Sequence, residues 1–188
     1  MLPQDDRKRR FELLALPHLD AAYNLARWLT GNATDAEDVV QEAYLRAYRY
    51  FDAYQGGSFR VWLLTILRNG FITWVKENRG PRLVFHPDAP TGDTADRETT
   101  AWGAAPRDPE SLLLEQIDSQ MLTRLMEKLP VEYREVLLLR EVEDLSYKQI
   151  ASIADVPIGT VMSRLARARL SLRRLWEREE RGAPAHGM

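Results

Sequence analysis

Asp35, Asp38 and Glu42 fall at spacings of three and four, which gathers carboxylates on one face of a helix. Such a face could hold a divalent cation, favour the positive end of a helix, or dock a basic partner. No base, nucleophile or phosphate loop accompanies it, so catalysis has little to work with. Cysteine is absent and the histidines are His18, His86 and His186, far apart in sequence, which argues against a zinc site or a catalytic triad. A second set of residues suits nucleic acid. Arg164, Arg167, Arg169, Arg173, Arg174 and Arg178 crowd one short stretch near the C-terminal end. A third interleaves aromatics with cations: Phe59, Trp62, Phe71 and Trp74 with Arg60, Arg68, Lys76 and Arg79. Aromatics beside cations suit unstacked single-stranded bases.

The elements that must carry these residues read as helices. The chain has 188 residues, 45% hydrophobic and 29% charged, enough for one mid-sized domain or two small ones. In "FELLALPHLDAAYNLARWLT" the apolar positions Leu14, Leu19, Ala22, Tyr23, Ala26 and Leu29 keep near-helical spacing, and Gly31–Asn32 ends the run. Thr34 with Glu37 predicts a capping box for the next helix, "DVVQEAYLRAYRYFDAY". "QGGS" breaks it and "FRVWLLTILRNGFITWVKENR" begins another; there, spacing predicts buried Trp62 and Phe71 and an exposed Phe59 beside the glycines. Residues 79–108 are rich in Pro, Gly, Thr and Asp and hold no period, which predicts a linker able to span on the order of 90 Å at about 3.3 Å per residue. Trp102 is its odd member, expected to pack on a neighbouring domain or to touch a partner. Helices resume at 109. The expected fold is all-α: a domain over 1–78, the linker over 79–108, a second domain over 109–180 and a tail over 181–188. No strand and no internal repeat is expected.

The arginine stretch sits in a helix-turn-helix pattern. Ser146 and Gln149 predict a capping box that starts "YKQIASIAD". "VPIG" reads as a tight turn with Gly159 free to take a positive φ, and Thr160 reads as the cap of "VMSRLARARLSLRRLWE". At about 100° per residue Val161, Leu165, Ala168, Leu172 and Leu175 form an apolar stripe. Thr160, Arg164, Arg167, Arg174 and Arg178 are expected to face away from it, with Ser163 at their edge and Arg169 and Arg173 on the other flank. An ordinary solvated basic face would show similar arginine spacing; the cap, turn and second helix before it favour a recognition helix for the major groove. Yet the chain counts 26 Lys+Arg against 28 Asp+Glu, and residues 109–188 hold 12 basic and 13 acidic side chains. A self-sufficient DNA-binding domain usually carries a basic excess. This one is expected to lean on a larger partner.

In this order and spacing the motifs resemble bacterial RNA polymerase sigma factors of the extracytoplasmic-function (ECF) group. "DAEDVVQEAYLRAYR" resembles region 2.2, "GGSFRVWLLTILRNGFITWVKENR" resembles regions 2.3–2.4, and "LPVEYREVLLLREVEDLSYKQIASIADVPIGTVMSRLARARLSLRR" is similar to region 4. The resemblance implies that Asp38, Gln41 and Glu42 face the β′ clamp of core RNA polymerase. It implies that Gly56, Gly57, Ser58 and Phe59 form the loop that captures a flipped −10 base, with Arg68, Asn69 and Lys76 lining the strand. Thr160, Ser163, Arg164 and Arg167 would contact −35 duplex DNA, with Arg169 counted beside them, and region 4 would hold the β flap. Many members carry an acidic residue where Thr73 sits, a departure that bears on −10 reading. The linker would resemble the segment that threads towards the polymerase active centre. The implied protein is no enzyme, needs no metal or cofactor, partners core polymerase, promoter DNA and in many members an anti-sigma factor, inserts in no membrane and is cytoplasmic; no apolar run reaches membrane-span length and the first residues carry no apolar leader segment. The rival readings are an autonomous helix-turn-helix regulator, which would leave the first domain without a role, and a metal-dependent nuclease.

Overall fold

The computed structural model describes residues 4–78 and 120–182. The linker over 79–108 with Trp102, the start of the helix expected from 109, and most of the tail lie outside the described residues. Every described element is helical.

The described residues 4–78 hold four α-helices. Helix α1 (Gln4–Ala15) and helix α2 (Leu19–Thr30) flank a single 3-10 turn, Leu16–His18. The apolar spacing alone suggests one continuous stretch. Pro17 divides it, because proline lacks the N–H of a helical hydrogen bond and its ring crowds the preceding turn. Gly31 ends α2 at φ +84°, and its N–H donates to the Arg27 carbonyl at 3.0 Å. Helix α3 (Ala33–Arg49) is capped by Asn32, whose side chain accepts the Asp35 N–H at 2.8 Å. Thr34, the expected cap, already lies in the first turn. Asn32 wins because it directly follows the left-handed glycine in extended geometry, φ −145° and ψ 161°. A 3-10 turn (Phe51–Ala53) and the Gly56–Gly57 loop lead into helix α4 (Phe59–Asn78).

In the second half a helical stretch over 120–127, α5, precedes helix α6 (Val131–Leu137), which widens into one π-helical turn over Leu138–Val142. Helix α7 (Tyr147–Ala154) begins at the expected capping box of Ser146 and Gln149. Helix α8 runs over Ile158–Gly182. The turn between them departs from the expectation. Asp155, at φ 51°, supplies the left-handed residue, while Gly159 and Thr160 lie inside the first turn of α8, where Thr160 N–H meets the Pro157 carbonyl at 3.0 Å. Asp tolerates the left-handed region better than most residues, so the turn closes earlier than "VPIG" suggests.

Helices α2, α3 and α4 pack around Leu25, Leu29, Val39, Leu64 and Leu67, all at most 3% exposed. That cluster continues without a break into Val136, Leu139, Ile150, Ile153, Val161 and Leu165 of the second half. Helix α4 lies against α7, and α2 against α6. The two helical halves expected from the sequence meet across this cluster. A second cluster, Phe11, Ala15, Ala47, Phe51, Phe59 and Leu63, fastens α1 to the start of α4. Its rings meet edge-on, Phe11 and Phe51 at 5.3 Å and 80°.

Candidate nucleic-acid and polymerase surfaces

Helix α3 presents one wet face and one dry one. Ala36, Val39, Val40, Ala43 and Ala47 are buried, which leaves Asp38, Gln41, Glu42 and Leu45 exposed together. Glu42 takes a hydrogen bond from the Arg46 Nε at 2.6 Å. The Asp35 carboxylate accepts from the Asn32 side chain within the cap. Among the described residues no group of three His, Cys, Asp or Glu could hold a metal. Leu45 is a residue that the sequence reading missed. It is 54% exposed amid the polar face. The helical spacing 38, 41, 42, 45 would have found it.

The glycine loop is open and sharply turned. Gly56 and Gly57 take φ +98° and +91°, backbone that L side chains rarely adopt, and both are exposed. The Tyr54 hydroxyl donates to the Gly57 carbonyl at 2.6 Å, and the Ser58 hydroxyl accepts the Val61 N–H at 3.3 Å to start α4. Phe59 corrects the sequence reading. It is 5% exposed, edge-on to Tyr54 at 5.2 Å and stacked with His18 at 6.2 Å. The apolar ring finds α1 to cover it, a contact that local spacing cannot show. Trp62, expected to be buried, is only partly so, and Phe71 is buried as expected. Burial, helped by the nearby Arg60, holds the His18 pKa below its ordinary value. Further along α4, Asn69 and Lys76 are exposed. The Thr73 hydroxyl donates to the Asn69 carbonyl at 3.1 Å.

Arg68 is not on that open surface. Its Nε donates to Glu135 Oε1 at 3.0 Å, with side-chain exposures of 8% and 0%. Arg164 is likewise buried, at 4%, and its charge acts on the same carboxylate. The expectation that Arg164 faces away from the apolar stripe is therefore corrected. At about 100° per residue it lies only some 60° from Val161, on the edge of the stripe. Burial pushes the Glu135 carboxyl above the usual range, against the pull of Arg68 and Arg164. Thr160, Ser163 and Arg167 are half-buried, and the Ser163 hydroxyl donates to the Thr160 carbonyl at 3.0 Å. Arg169 is exposed and bonds Glu141 at 2.6 Å. The stripe itself holds: Val161, Leu165 and Ala168 are buried, with Leu172 and Leu175 packed against them.

Glu135 and Glu143 were missed in the sequence. Glu135 falls on the apolar side of α6 with Val131, Leu138 and Leu139 as helical neighbours, and a lone acid at such a position is the signal. Glu143, 6% exposed, pairs with Arg60 of α4. It follows the π-helical turn, whose closing N–H, that of Glu143, reaches the Leu138 carbonyl at 3.0 Å.

Comparison with known proteins agrees with this geometry. The profile of Sigma-70 region 2 matches residues 14–80, and that of Sigma-70, region 4 matches 119–172. The ECF RNA polymerase sigma-E factor of Escherichia coli is 39% identical over 72% of this chain and 70% of its own length. The ECF RNA polymerase sigma factor SigE of Mycolicibacterium smegmatis is 34% identical over 85% of this chain; the match spans 59% of that relative. Among solved structures, the sigma factor RpoE in complex with the anti-sigma factor NepR from Bartonella quintana superposes with a TM-score of 0.66 at 27% identity, covering 90% of this chain and 98% of that one. CnrH in complex with the cytosolic domain of CnrY shares the fold, with a TM-score of 0.59 at 23% identity over 90% of this chain and 89% of that one. With both regions matched in order and the relatives this similar, the chain belongs to the ECF family of RNA polymerase sigma factors.

Proposed function

We propose that this chain binds core RNA polymerase and directs promoter-specific initiation, reading a −35 duplex with α8 and an unpaired −10 base with the 55–59 loop. The observation that carries the reading is the ordered pair of regions, with an arginine-rich second helix in a helix-turn-helix after region 2. The exposed face of Asp38, Gln41, Glu42 and Leu45 serves as the docking face for a basic element of the polymerase clamp. Gly56, Gly57 and Ser58 bring backbone close to a flipped base, and Asn69 and Lys76 line the strand beyond. Thr160, Ser163, Arg164, Arg167 and Arg169 meet the −35 element, where arginine can bond guanine O6 and N7. Phe59 supports the loop from beneath rather than stacking on the base itself.

The chain catalyses no reaction of its own and works in the cytoplasm beside polymerase; no described helix is long and apolar enough to cross a membrane. The similar RpoE is bound to the anti-sigma factor NepR, and a protein of that class is a further partner of this chain. An autonomous helix-turn-helix regulator would leave the region 2 match unexplained. The test is run-off transcription with core polymerase and a genomic fragment library. Specific transcripts that depend on this chain support the reading; no specific transcript and no core binding on size exclusion overturn it.

A further inference from the structure

Over 158–167 the side chains that α8 holds out to solvent are all apolar. Ile158 is 46% exposed and Met162 54%, and Ala166 is exposed with them. Gly159 is exposed too and has no side chain to offer. The polar residues of the same stretch turn inward: Thr160, Ser163 and Arg167 are half-buried and Arg164 is buried. Ile158, Met162 and Ala166 recur every four residues, so they form one row along the helix. Exposed Leu170 extends the row, and Arg174 and Arg178 complete it. At about 100° per residue Ser163 and Arg167 run along one side of it, and Arg169 and Arg173 along the other. Exposed apolar side chains scattered singly need no explanation. A row of them in the opening turns of an arginine-rich helix does.

The opening turns of the second helix are the part of a helix-turn-helix that enters the major groove. Most of what a base pair shows there is a donor or an acceptor; the exception is the C5 methyl of thymine. A thioether pressed on a guanine O6 or a cytosine amino group would strip it of water and return no hydrogen bond. Pressed on a methyl, it takes apolar surface on both partners out of water. The unbranched methionine chain adapts readily to such a contact. The cations beside the row suit the rims of the same groove, where the phosphates lie. Arg169 meets Glu141 in an exposed pair, a contact weak enough for a phosphate to replace. Resting on the reading of α8 as the −35 helix, we infer that Met162, with Ala166 beside it, is a specificity residue that packs on thymine C5 methyl groups. At least one position of the −35 element is then fixed as T·A by apolar contact rather than by an arginine.

Holoenzyme of core polymerase and this chain is first selected on a promoter library randomised over the −35 element. At least one position is expected to emerge as T·A and to relax in Met162→Ala. In Met162→Arg the same position should move towards G, since arginine can bond O6 and N7. The selected thymine is then replaced by deoxyuridine, which keeps O4 and the pairing edge and lacks only the methyl. Wild-type holoenzyme is expected to bind the deoxyuridine promoter about fourfold more weakly for each contacted methyl. Met162→Ala should bind the two promoters alike. Met162 is exposed, so neither variant disturbs the core, and the deoxyuridine comparison needs no variant at all. Equal binding of the two promoters by wild type overturns the inference and leaves the −35 assignment standing, and so does a selection with no T·A position that Met162→Ala relaxes. Weakened core binding in Met162→Ala with the thymine preference unchanged would make the row a protein-docking face and overturns it too. A holoenzyme with no preference at any −35 position would instead sink the reading of α8 itself.

Discussion

Arg68 Nε lies 3.0 Å from Glu135 Oε1, across a sequence separation of 67, and the pair joins helix α4 of region 2 to helix α6 of region 4. Removing one partner of a buried pair leaves the other charge uncompensated, which commonly costs about 3–5 kcal/mol. Arg68→Ala and Glu135→Ala are each expected to destabilise the folded chain, and the double variant to destabilise it by less than the sum. A coupling of about 0.5–3 kcal/mol in urea denaturation marks the pair. Additivity within about 0.5 kcal/mol would mean that the two do not meet in solution.

The polar face of α3 gives a prediction on polymerase binding. Glu42→Lys reverses a charge on an exposed helix face and Leu45→Ala trims the exposed side chain beside it. Each is expected to weaken core binding roughly tenfold, about 1.4 kcal/mol, with little change in thermal stability. Titration of labelled protein with core at moderate salt checks it. Unchanged affinity in both variants would move the docking face elsewhere.

For the proposed −35 reading the informative residue is Arg167, half-buried on helix α8. Arg167→Ala is expected to lose about 1–3 kcal/mol of discrimination between an intact and a scrambled −35 element. Holoenzyme activity on the two promoters gives the ratio. A variant that still distinguishes them as wild type does would show that Arg167 reads no base.

The proposed −10 role of the Gly56–Gly57 loop is best probed through its backbone. Phe59→Ala removes a buried ring and would cost about 3–5 kcal/mol of stability, which confounds any reading of function. Gly57 has open space around it, so Gly57→Ala acts through φ +91° alone. A β-carbon in left-handed backbone costs about 1–2 kcal/mol. The expected outcome is slower opening of duplex promoters with −35 binding intact. Opening at the wild-type rate would make the loop a connector.

Tyr44 predicts an alkaline limit to stability. Its hydroxyl donates to the Ala15 carbonyl at 3.0 Å, and burial, with some help from Asp20, pushes its pKa up to about 12. The unfolded phenol titrates near 10. A group whose folded pKa is raised stabilises fully below its unfolded value, and that contribution is lost as pH rises through the folded one. Stability should therefore fall between about pH 10 and pH 12, and Tyr44→Phe should flatten that fall. Equal slopes for wild type and variant in urea titrations across this window would rule the residue out.

Elements and motifs are legible in the amino-acid order alone, because both are written locally. Apolar spacing marked the helices, Ser146 and Gln149 marked the start of α7, and the stripe of Val161, Leu165 and Ala168 marked the buried side of α8. Family resemblance rested on the same local runs. Where two local signals competed, the structure chose: Asn32 over Thr34 as a cap, Asp155 over Gly159 as the left-handed residue, each by the backbone geometry of the neighbouring turn. What only tertiary structure decided is which exposed-looking side chains would be covered. Phe59 is buried because α1 folds back over it, and Arg68 and Arg164 are buried because Glu135 arrives from another helix, far along the chain from Arg68. Helical periodicity fixes the direction of a side chain from its own helix, but the partner that removes it from water is brought by long-range packing, which no local spacing encodes.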